Sequence, residues 1–130
     1  MAFRKVNSRK LNQAENIQET AIKLHKKGEW DKALEFYEKS LEIYQKLKDK
    51  QGISSSYNNL GLLYKNKGEL DKALEFYEKS LEIKEELGDK QGISNSDGNL
   101  GSLYSDKGEW DKALEFYEKS LEIFKELGHK

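Results

Sequence analysis

The chain contains no cysteine and no proline among its 130 residues. The absence of cysteine excludes disulfide bonds and thiolate chemistry, and nothing else in the composition points to secretion. The chain also has no apolar run long enough to span a bilayer or to form the core of a signal peptide. Together with the absence of proline, which interrupts helices, these features predict a soluble, all-helical, cytoplasmic protein.

A surplus of charge of either sign is also absent. The 23 basic and 24 acidic residues leave a net charge of -1, although charged residues make up 36% of the chain. A balance this close to neutral gives no general attraction to nucleic acid or to acidic membranes, so we expect neither as a partner. The basic segment Met1 to Lys10 could touch RNA or phospholipid, but it lacks stacking aromatics, so a frayed terminus or a helix start is favoured.

Groups that could carry out catalysis or bind a metal are few. The only histidines are His25 and His129, which are far apart in the sequence and have no metal-site spacing. No patterned pair of carboxylates accompanies them. We therefore expect no enzyme activity, no metal and no cofactor, and we interpret both histidines as polar surface residues.

The sequence does contain a repeat with a period of forty residues. The block Gly28 to Ile43 returns unchanged at Gly108 to Ile123, and it returns at Gly68 to Ile83 with Leu70 in place of a tryptophan. Self-similarity at such a period indicates one supersecondary unit that is stacked on copies of itself.

Within the repeated block, apolar residues recur at helical spacing. Ala33, Phe36, Tyr37, Ser40 and Leu41 follow steps of three and four residues, which predicts an amphipathic helix. Because Ala33 and Ser40 are small, a neighbouring helix can approach this stripe closely. Two helices are therefore expected to pack tightly here.

The pattern predicts six antiparallel helices in three pairs. The approximate bounds are Ser8–Lys27, Trp30–Leu47, Ser54–Lys67, 70–87, Ser94–Lys107 and Trp110–Leu127. Short connections force neighbouring helices to lie side by side, and direct repetition of a pair builds a right-handed α-solenoid. We predict a single all-α domain over residues 1–130, with repeats at about 10–49, 50–89 and 90–130.

The run Asn59-Leu60-Gly61-Leu-Leu-Tyr64, followed by Gly68 and Ala73, resembles the tetratricopeptide repeat. The resemblance covers about residues 14–127, and the same motif returns from Asn99 to Ala113. Glu85 stands where the usual repeat of this family has proline, so the chain is similar to the longer repeats of kinesin light chains and of the Leu-Gly-Asn adaptors. The first unit departs from the motif, with Thr20-Ala21 in place of Leu-Gly.

The resemblance implies a concave groove that is lined by the first helix of each pair and binds an extended peptide. The residues carried over as its principal lining are Gln18, Ile22, Asn58, Asn59, Leu62, Lys65, Asn66, Asn99, Ser102 and Asp106. The remaining positions of the lining are Glu15, Glu19, His25, Lys26, Ser55, Asn95, Gly98 and Ser105.

Asn59 and Asn99 are the residues we expect to hold the backbone of a peptide, because a carboxamide both donates and accepts hydrogen bonds. The alternative is that they are surface asparagines tolerated on a helix. No lysine or arginine repeats along the inner face, so the clamp for a C-terminal carboxylate that some relatives use is not expected.

The last helix provides a second candidate interaction surface. Arrays of this family usually finish with an extra polar helix, whereas this sequence ends at Lys130, directly after the third block. We expect no following unit to cover the apolar residues Ala113, Phe116, Tyr117, Leu121 and Phe124. An uncovered stripe of this size tends to find a partner, either a second copy of the chain or a bound peptide.

Three functions are consistent with these features. The leading one is a non-enzymatic protein–protein interaction scaffold that binds an extended peptide or a partner helix. The second is a self-associating structural module. The third is an idealised or excised repeat array without a native ligand, which blocks identical over sixteen residues would also suggest. The sequence does not decide between the first and the third.

The three units are not equivalent, because Asp97-Gly98 occupies the place that Tyr57-Asn58 holds one repeat earlier. Loss of an aromatic side chain that packs between units predicts a weaker junction between the second and third units. Ser94 to Asp97 has the spacing of a capping box, which would offset part of this loss at the start of the fifth helix.

Overall fold

Six α-helices account for most of residues 2–128, the part of the backbone that the computed structural model describes, with side chains described from residue 7 to 128. The helices are α1 (Ala2–Lys26), α2 (Trp30–Leu47), α3 (Lys50–Asn66), α4 (Leu70–Leu87), α5 (Lys90–Asp106) and α6 (Trp110–Glu126). This part of the chain contains no strand, and the predicted all-α solenoid is confirmed. The side chains of Arg4 and Lys5 in the basic segment, and His129, lie outside the described residues.

The helices stack in the order in which they occur along the chain. The most extensive contacts join α1 to α2, α3 to α4, and α5 to α6, while α2 contacts α3 and α4 contacts α5. Contacts between the first helices of neighbouring pairs are fewer, and α1 contacts α3 in this way. Each pair therefore rests on the next one, as expected for a repeat array.

The hydrophobic core runs through the junctions between pairs. Tyr37 of α2 is buried together with Leu60 and Leu63 of α3, and an equivalent cluster around Tyr77 joins α4 to α5. The small residues of the repeated block behave as predicted: Ala33 is fully buried, and the Ser40 hydroxyl donates a hydrogen bond to the carbonyl oxygen of Ala14, 3.0 Å away. Close approach of helices thus follows from residue size at a few positions.

The starts of three helices differ from the prediction. α3 begins at Lys50 and α5 at Lys90, each four residues earlier than the sequence suggested, and α1 begins at Ala2. The N-cap of α5 is Asp89, whose carboxylate accepts a hydrogen bond from the Gly92 N–H at 2.9 Å. Asp49 and Gly52 form the same cap on α3, at 3.1 Å.

The capping box predicted at Ser94 is therefore wrong. Ser94 lies in the second turn of α5, and its hydroxyl donates to the carbonyl oxygen of Ser120 on α6, 3.1 Å away. Ser120 returns the contact by donating to the Ser94 carbonyl oxygen at 2.9 Å. A hydroxyl that joins two helices is unavailable as a cap, so the carboxylate that follows the turn at Gly88 takes that role.

No helix within residues 2–128 combines the length and the apolar character that crossing a bilayer requires.

Candidate functional site

The predicted groove residues come from α1, α3 and α5, and the structure joins several of them by contacts between neighbouring first helices. Asn99 of α5 donates from Nδ2 to Oδ1 of Asn58 on α3, over 2.9 Å. Lys65 of α3 donates from Nζ to the hydroxyl of Ser102 on α5, over 2.8 Å, and it forms an ion pair with Asp106 at 3.5 Å. These polar side chains hold the second and third pairs together.

The first and second pairs are joined in the same way by Gln18. Its Nε2 donates to the hydroxyl of Ser55 at 3.1 Å, and its Oε1 accepts a hydrogen bond from Ser56 at 3.5 Å. Residues predicted as ligands for a peptide thus already have partners inside the chain. Part of the polarity of the groove serves to connect the helix pairs.

Asn59 differs from Asn99 in this respect. The Asn59 side chain is half-buried and its carboxamide makes no hydrogen bond to any residue that the structure describes, whereas the carboxamide of Asn99 is bonded to Asn58. The N–H donors and the carbonyl acceptor of the Asn59 carboxamide are therefore available to a ligand. Of the two asparagines chosen from the sequence, Asn59 is the one whose carboxamide has no partner among the described residues.

Asn59 lies on the wall of a largely apolar pocket between α1 and α3. The pocket has a volume of about 420 Å³. Its lining residues are Ile22, His25, Lys26, Gly28, Trp30, Tyr37, Asn59, Leu62 and Asn66. The structure therefore brings together Ile22, Asn59, Leu62 and Asn66 from the principal predicted lining, with His25 and Lys26 from its remaining positions. Leu62 keeps 41% of its surface exposed.

Asn58 lies in a different place. It lines a smaller pocket of about 260 Å³ near the start of α5, which it shares with Ser55 and Asn95. This second pocket is lined mostly by polar side chains, among them Lys84 and Asp89. The predicted groove is therefore divided into local sites of different polarity.

His25 is the residue whose environment the sequence analysis got wrong. Its exposed fraction is 9%, and its ring is bonded at both nitrogens: Nδ1 lies 3.1 Å from the Tyr37 hydroxyl and Nε2 lies 2.7 Å from Nδ2 of Asn66. The signal was present in the sequence, because His25 follows Ala21 by four residues on the apolar stripe of α1. The polarity of histidine favours a surface position, but this spacing places His25 on the buried side of α1.

The hydrogen bonds around His25 fix which nitrogen carries the proton. Asn66 Nδ2 can only donate, so Nε2 of the neutral ring accepts and Nδ1–H donates to the Tyr37 oxygen. Burial lowers the pKa of His25 below its usual value and raises the pKa of Tyr37 to about 12. The floor of the pocket is therefore uncharged near neutral pH.

The corresponding region between α3 and α5 carries charge. Lys65 stands one repeat after His25, and Ser102 stands one repeat after Leu62. The ion pair of Lys65 with Asp106 replaces the neutral bonds that His25 makes. The groove is thus apolar at one end and charged at the other.

The outer face of α6 is exposed, because the described residues include no further helix beyond it. Tyr117 is 44% exposed, whereas its counterparts Tyr37 and Tyr77 are 1% and 3% exposed beneath the following helix. The other large apolar residues that remain exposed on this face are Trp110, Leu114, Leu121, Phe124 and Leu127.

Two residues predicted to belong to this uncovered face are covered. Ala113 is buried, and Phe116 is half-buried with its ring stacked on that of Tyr104, at a centroid distance of 5.5 Å. Both point toward α5, which belongs to the same helix pair, so they do not need a following unit to bury them. Tyr117, Leu121 and Phe124 are the members of the predicted set that are exposed.

Comparison with known families gives two matches, both described as tetratricopeptide repeat (TPR). One covers residues 21–86, about half of the chain, and the other covers residues 98–126. A comparison with curated proteins found no match.

Among solved structures, the chain is similar to BtubC (BKLC) from P. vanneervenii, with 27% identity and a TM-score of 0.78 over 95% of this chain and 56% of that one. The chain thus spans little more than half the length of that protein. It is also similar to the TPR domain of Arabidopsis FLU, with 22% identity and a TM-score of 0.79 over 92% of this chain and 98% of that one.

A third similar structure is a putative kinesin light chain from Podospora anserina with nearly identical TPR-like repeats. It has 21% identity and a TM-score of 0.75 over 88% of this chain and 56% of that one. The similarity to kinesin light chain repeats that the sequence indicated is thereby confirmed. Repeats of this family generally mediate interactions between proteins. On the family match and the stacked helix pairs together, the chain belongs to the tetratricopeptide repeat family.

Proposed function

We propose that this chain is a non-enzymatic scaffold that binds an extended peptide segment of a partner protein in its groove. The observation that carries the proposal is the apolar pocket between α1 and α3, which lies beside a carboxamide, that of Asn59, with no hydrogen bond inside the described residues. A concave apolar site with a few convergent polar groups is the usual form of a binding site.

Recognition would combine one main-chain contact with one side-chain contact. The Asn59 carboxamide can donate to a carbonyl oxygen and accept from an N–H of an extended peptide, a contact that is independent of the peptide's sequence. The adjacent pocket, with walls from Ile22, Trp30 and Leu62, takes a large apolar side chain of that peptide. The neutral floor at His25 and Tyr37 favours an uncharged group there.

The other end of the groove adds a polar preference. Lys65 and Asp106 lie 3.5 Å apart and are partly exposed, so a peptide that passes over them can contact either charge. We expect bound peptides to carry an apolar residue for the pocket and polar residues toward the α5 end.

The test is selection from a displayed peptide library, followed by titration of the selected peptides against variants. Asn59→Ala and Leu62→Ala should each weaken binding by about tenfold, since each removes a ligand contact of about 1 kcal/mol or more. Glu78→Ala, at an exposed position on α4, is the matched control and should leave affinity unchanged. Selection of no peptide, or unchanged affinity in both groove variants, would overturn the proposal.

The variant Asn99→Ala distinguishes an effect on peptide binding from an effect on the stability of the fold. Because Asn99 is bonded to Asn58, we expect its loss to lower the free energy of unfolding by about 0.5 to 1.5 kcal/mol, whereas Asn59→Ala should leave stability nearly unchanged. Loss of peptide binding in Asn99→Ala but not in Asn59→Ala would show that recognition depends on Asn99, and would contradict the role proposed for Asn59.

Self-association through α6 is a second candidate function, and the exposure of Tyr117 and Leu121 favours it. The same face of α2 and α4 is covered by the helix that follows, so the surface on α6 is already shaped to receive a helix. We propose that a second copy of the chain covers it in solution.

Sedimentation over a range of concentrations tests this second proposal. We expect mass to rise above that of the 15.1 kDa monomer at high concentration. Leu121→Glu, at a position 51% exposed, should restore the monomer, while Glu118→Ala on the same helix should not. A monomeric mass for the unaltered chain at every concentration would rule the interface out.

A further inference from the structure

A third pocket, of about 390 Å³, lies where α4, α5 and α6 meet. Its apolar walls are Leu81 of α4, Ile93 of α5, and Phe116 and Ile123 of α6. None of its lining residues belongs to the predicted groove, so the pocket is a separate surface of the molecule.

Asp97 lies on the wall of this pocket and is only 4% exposed. Its carboxylate makes no hydrogen bond and no ion pair within the part of the chain that the structure describes. Burial raises the pKa of Asp97, an effect that the nearby Lys119 charge opposes and the Glu85 charge reinforces. No fully buried side-chain oxygen among the described residues lacks a hydrogen-bond partner, so the Asp97 oxygens reach the open space of the pocket and are accessible to a bound cation.

Comparison with the preceding repeat shows what is special about the pocket. Forty residues earlier stands Tyr57, whose ring lies 5.9 Å from the ring of Phe76 and occupies the corresponding space. Of the nine residues that line the pocket, seven are identical one repeat earlier. The two exceptions are Tyr57, replaced by Asp97, and Gln45, replaced by Glu85, and each replacement introduces a carboxylate.

The charges around the pocket leave a negative surplus. Lys119 is the only basic residue in its lining, and it already forms an ion pair with Glu115 at 3.6 Å. Glu85 and Glu122 line the pocket with no ion pair among the described residues. The pocket therefore has apolar walls, a buried acceptor and an acidic rim.

We propose that this pocket binds the cationic side chain of a lysine or arginine from a partner protein. The charged group would donate hydrogen bonds to Asp97, and the methylene stem would lie against Leu81 and Phe116. In the second repeat the ring of Tyr57 fills the equivalent space. The site therefore occurs only where the third repeat has Asp97 in place of that tyrosine.

The probe is Nα-acetyl-lysine N-methylamide, titrated into the full chain while backbone amide shifts are recorded. We expect saturable shifts centred on Ile93, Asp97 and Ile123. The norleucine counterpart has a matching apolar stem without the charge and should give no saturable shift there. Equal shifts with both compounds would overturn the proposal, because the carboxylate would then play no part.

Three variants test the assignment to Asp97. Asp97→Asn keeps the shape and should weaken binding of the lysine amide by about tenfold or more, since one charge-assisted hydrogen bond is lost. Asp97→Tyr restores the residue of the preceding repeat and should abolish binding by filling the pocket. Tyr57→Asp combined with Gln45→Glu should create a second site, with new shifts around Ile53.

Unchanged affinity in Asp97→Asn would overturn the assignment, whether or not the double variant folds. The cation has two possible sources, the side chain of a protein and a free alkylamine. Pentylamine distinguishes them, because it has the charged group and the apolar stem of lysine without the peptide groups. Weaker binding of pentylamine than of the lysine amide supports a side chain of a protein, whereas tighter binding of pentylamine would overturn that source.

Discussion

At the scale of single residues, two glycines on neighbouring first helices have opposite packing. A Cβ atom at Gly61 would lie 2.6 Å from Cδ1 of Tyr77, a distance at which one of the two side chains must move. A Cβ atom at Gly98 would meet nothing closer than the Ser120 hydroxyl oxygen, 3.8 Å away. Gly61 is needed for the close approach of two helices, whereas Gly98 is not.

Alanine substitutions at these two glycines should therefore shift stability in opposite directions. Gly98→Ala should raise the free energy of unfolding by about 0.5 to 1 kcal/mol, because alanine is the better helix former. Gly61→Ala should lower it by about 1 to 3 kcal/mol through overpacking against Tyr77. Urea denaturation of both variants checks this, and a gain of stability for Gly61→Ala would contradict the packing described.

The second prediction at this scale is that Asp97 makes the stability of the fold depend on pH. Its pKa in the folded chain is raised mainly by burial, so the folded state binds its proton more tightly than the unfolded state does. The charged carboxylate therefore destabilises the fold at neutral pH, and this penalty disappears as pH falls through the raised pKa.

Asp97→Asn should accordingly be more stable than the unaltered chain at pH 7, and the difference should shrink as the pH is lowered toward 4. Asp89, whose pKa is lowered chiefly by the Gly92 N–H, is present in both chains and cancels in the comparison. Thermal melts at several pH values measure the effect. A difference that grows on acidification would show that the pKa of Asp97 is shifted the other way.

At the scale of elements, the starts of the helices follow two different rules. α3 and α5 begin with an aspartate whose carboxylate accepts a backbone N–H, whereas α2, α4 and α6 begin with a glutamate that makes no such bond. An aspartate side chain is short enough to cap its own helix, which the longer glutamate does less readily. The first helices of the second and third pairs therefore depend on a single side chain at their N-termini.

Asp89→Ala should lower the free energy of unfolding by about 1 kcal/mol, the usual value of a lost N-cap. The matched control is Glu29→Ala at the N-cap of α2, which removes only a surface ion pair with Lys32 and should cost about 0.5 kcal/mol or less. Chemical denaturation of both variants distinguishes them. Equal losses would mean that the Asp89 carboxylate does not act as a cap.

At the scale of the whole molecule, we expect the three helix pairs to be unequal in stability. The third pair contains the buried carboxylate of Asp97 and an open pocket where the second pair has the ring of Tyr57. From the sequence we expect that ring to pack between units, whereas the structure places it against Phe76 of its own pair. We therefore expect the loss to weaken the pairing of α5 with α6 as well as the junction with α4.

Hydrogen exchange should show that α5 opens before α3. The missing aromatic side chain corresponds to about 1.5 to 3 kcal/mol of lost burial, and the predicted capping box that would have offset part of it is not formed. Restoring the preceding repeat with Asp97→Tyr and Gly98→Asn should slow exchange over Ile93 to Tyr104. Slower exchange in that segment than in Ile53 to Tyr64 of the unaltered chain would contradict the order of opening.

The sequence by itself determined the class and the order of the fold. Helical spacing in the repeated block, the forty-residue period and glycines such as Gly61 at close contacts were enough to predict three stacked helix pairs, because these signals are local and occur in every repeat. Helix starts were less certain, since Ser94 and Asp89 both have side chains that can cap a helix.

Only the tertiary structure decided which polar residues have partners. Asn59 and Asn99 are equivalent in sequence, yet the Asn99 carboxamide is bonded to Asn58 and the Asn59 carboxamide is not bonded to any described residue, because that choice depends on the neighbouring helix. The burial of His25 and the pocket beside Asp97 were likewise settled by side chains from other repeats. A periodic sequence specifies equivalent positions, but the contacts that distinguish them arise only where helices with different side chains meet.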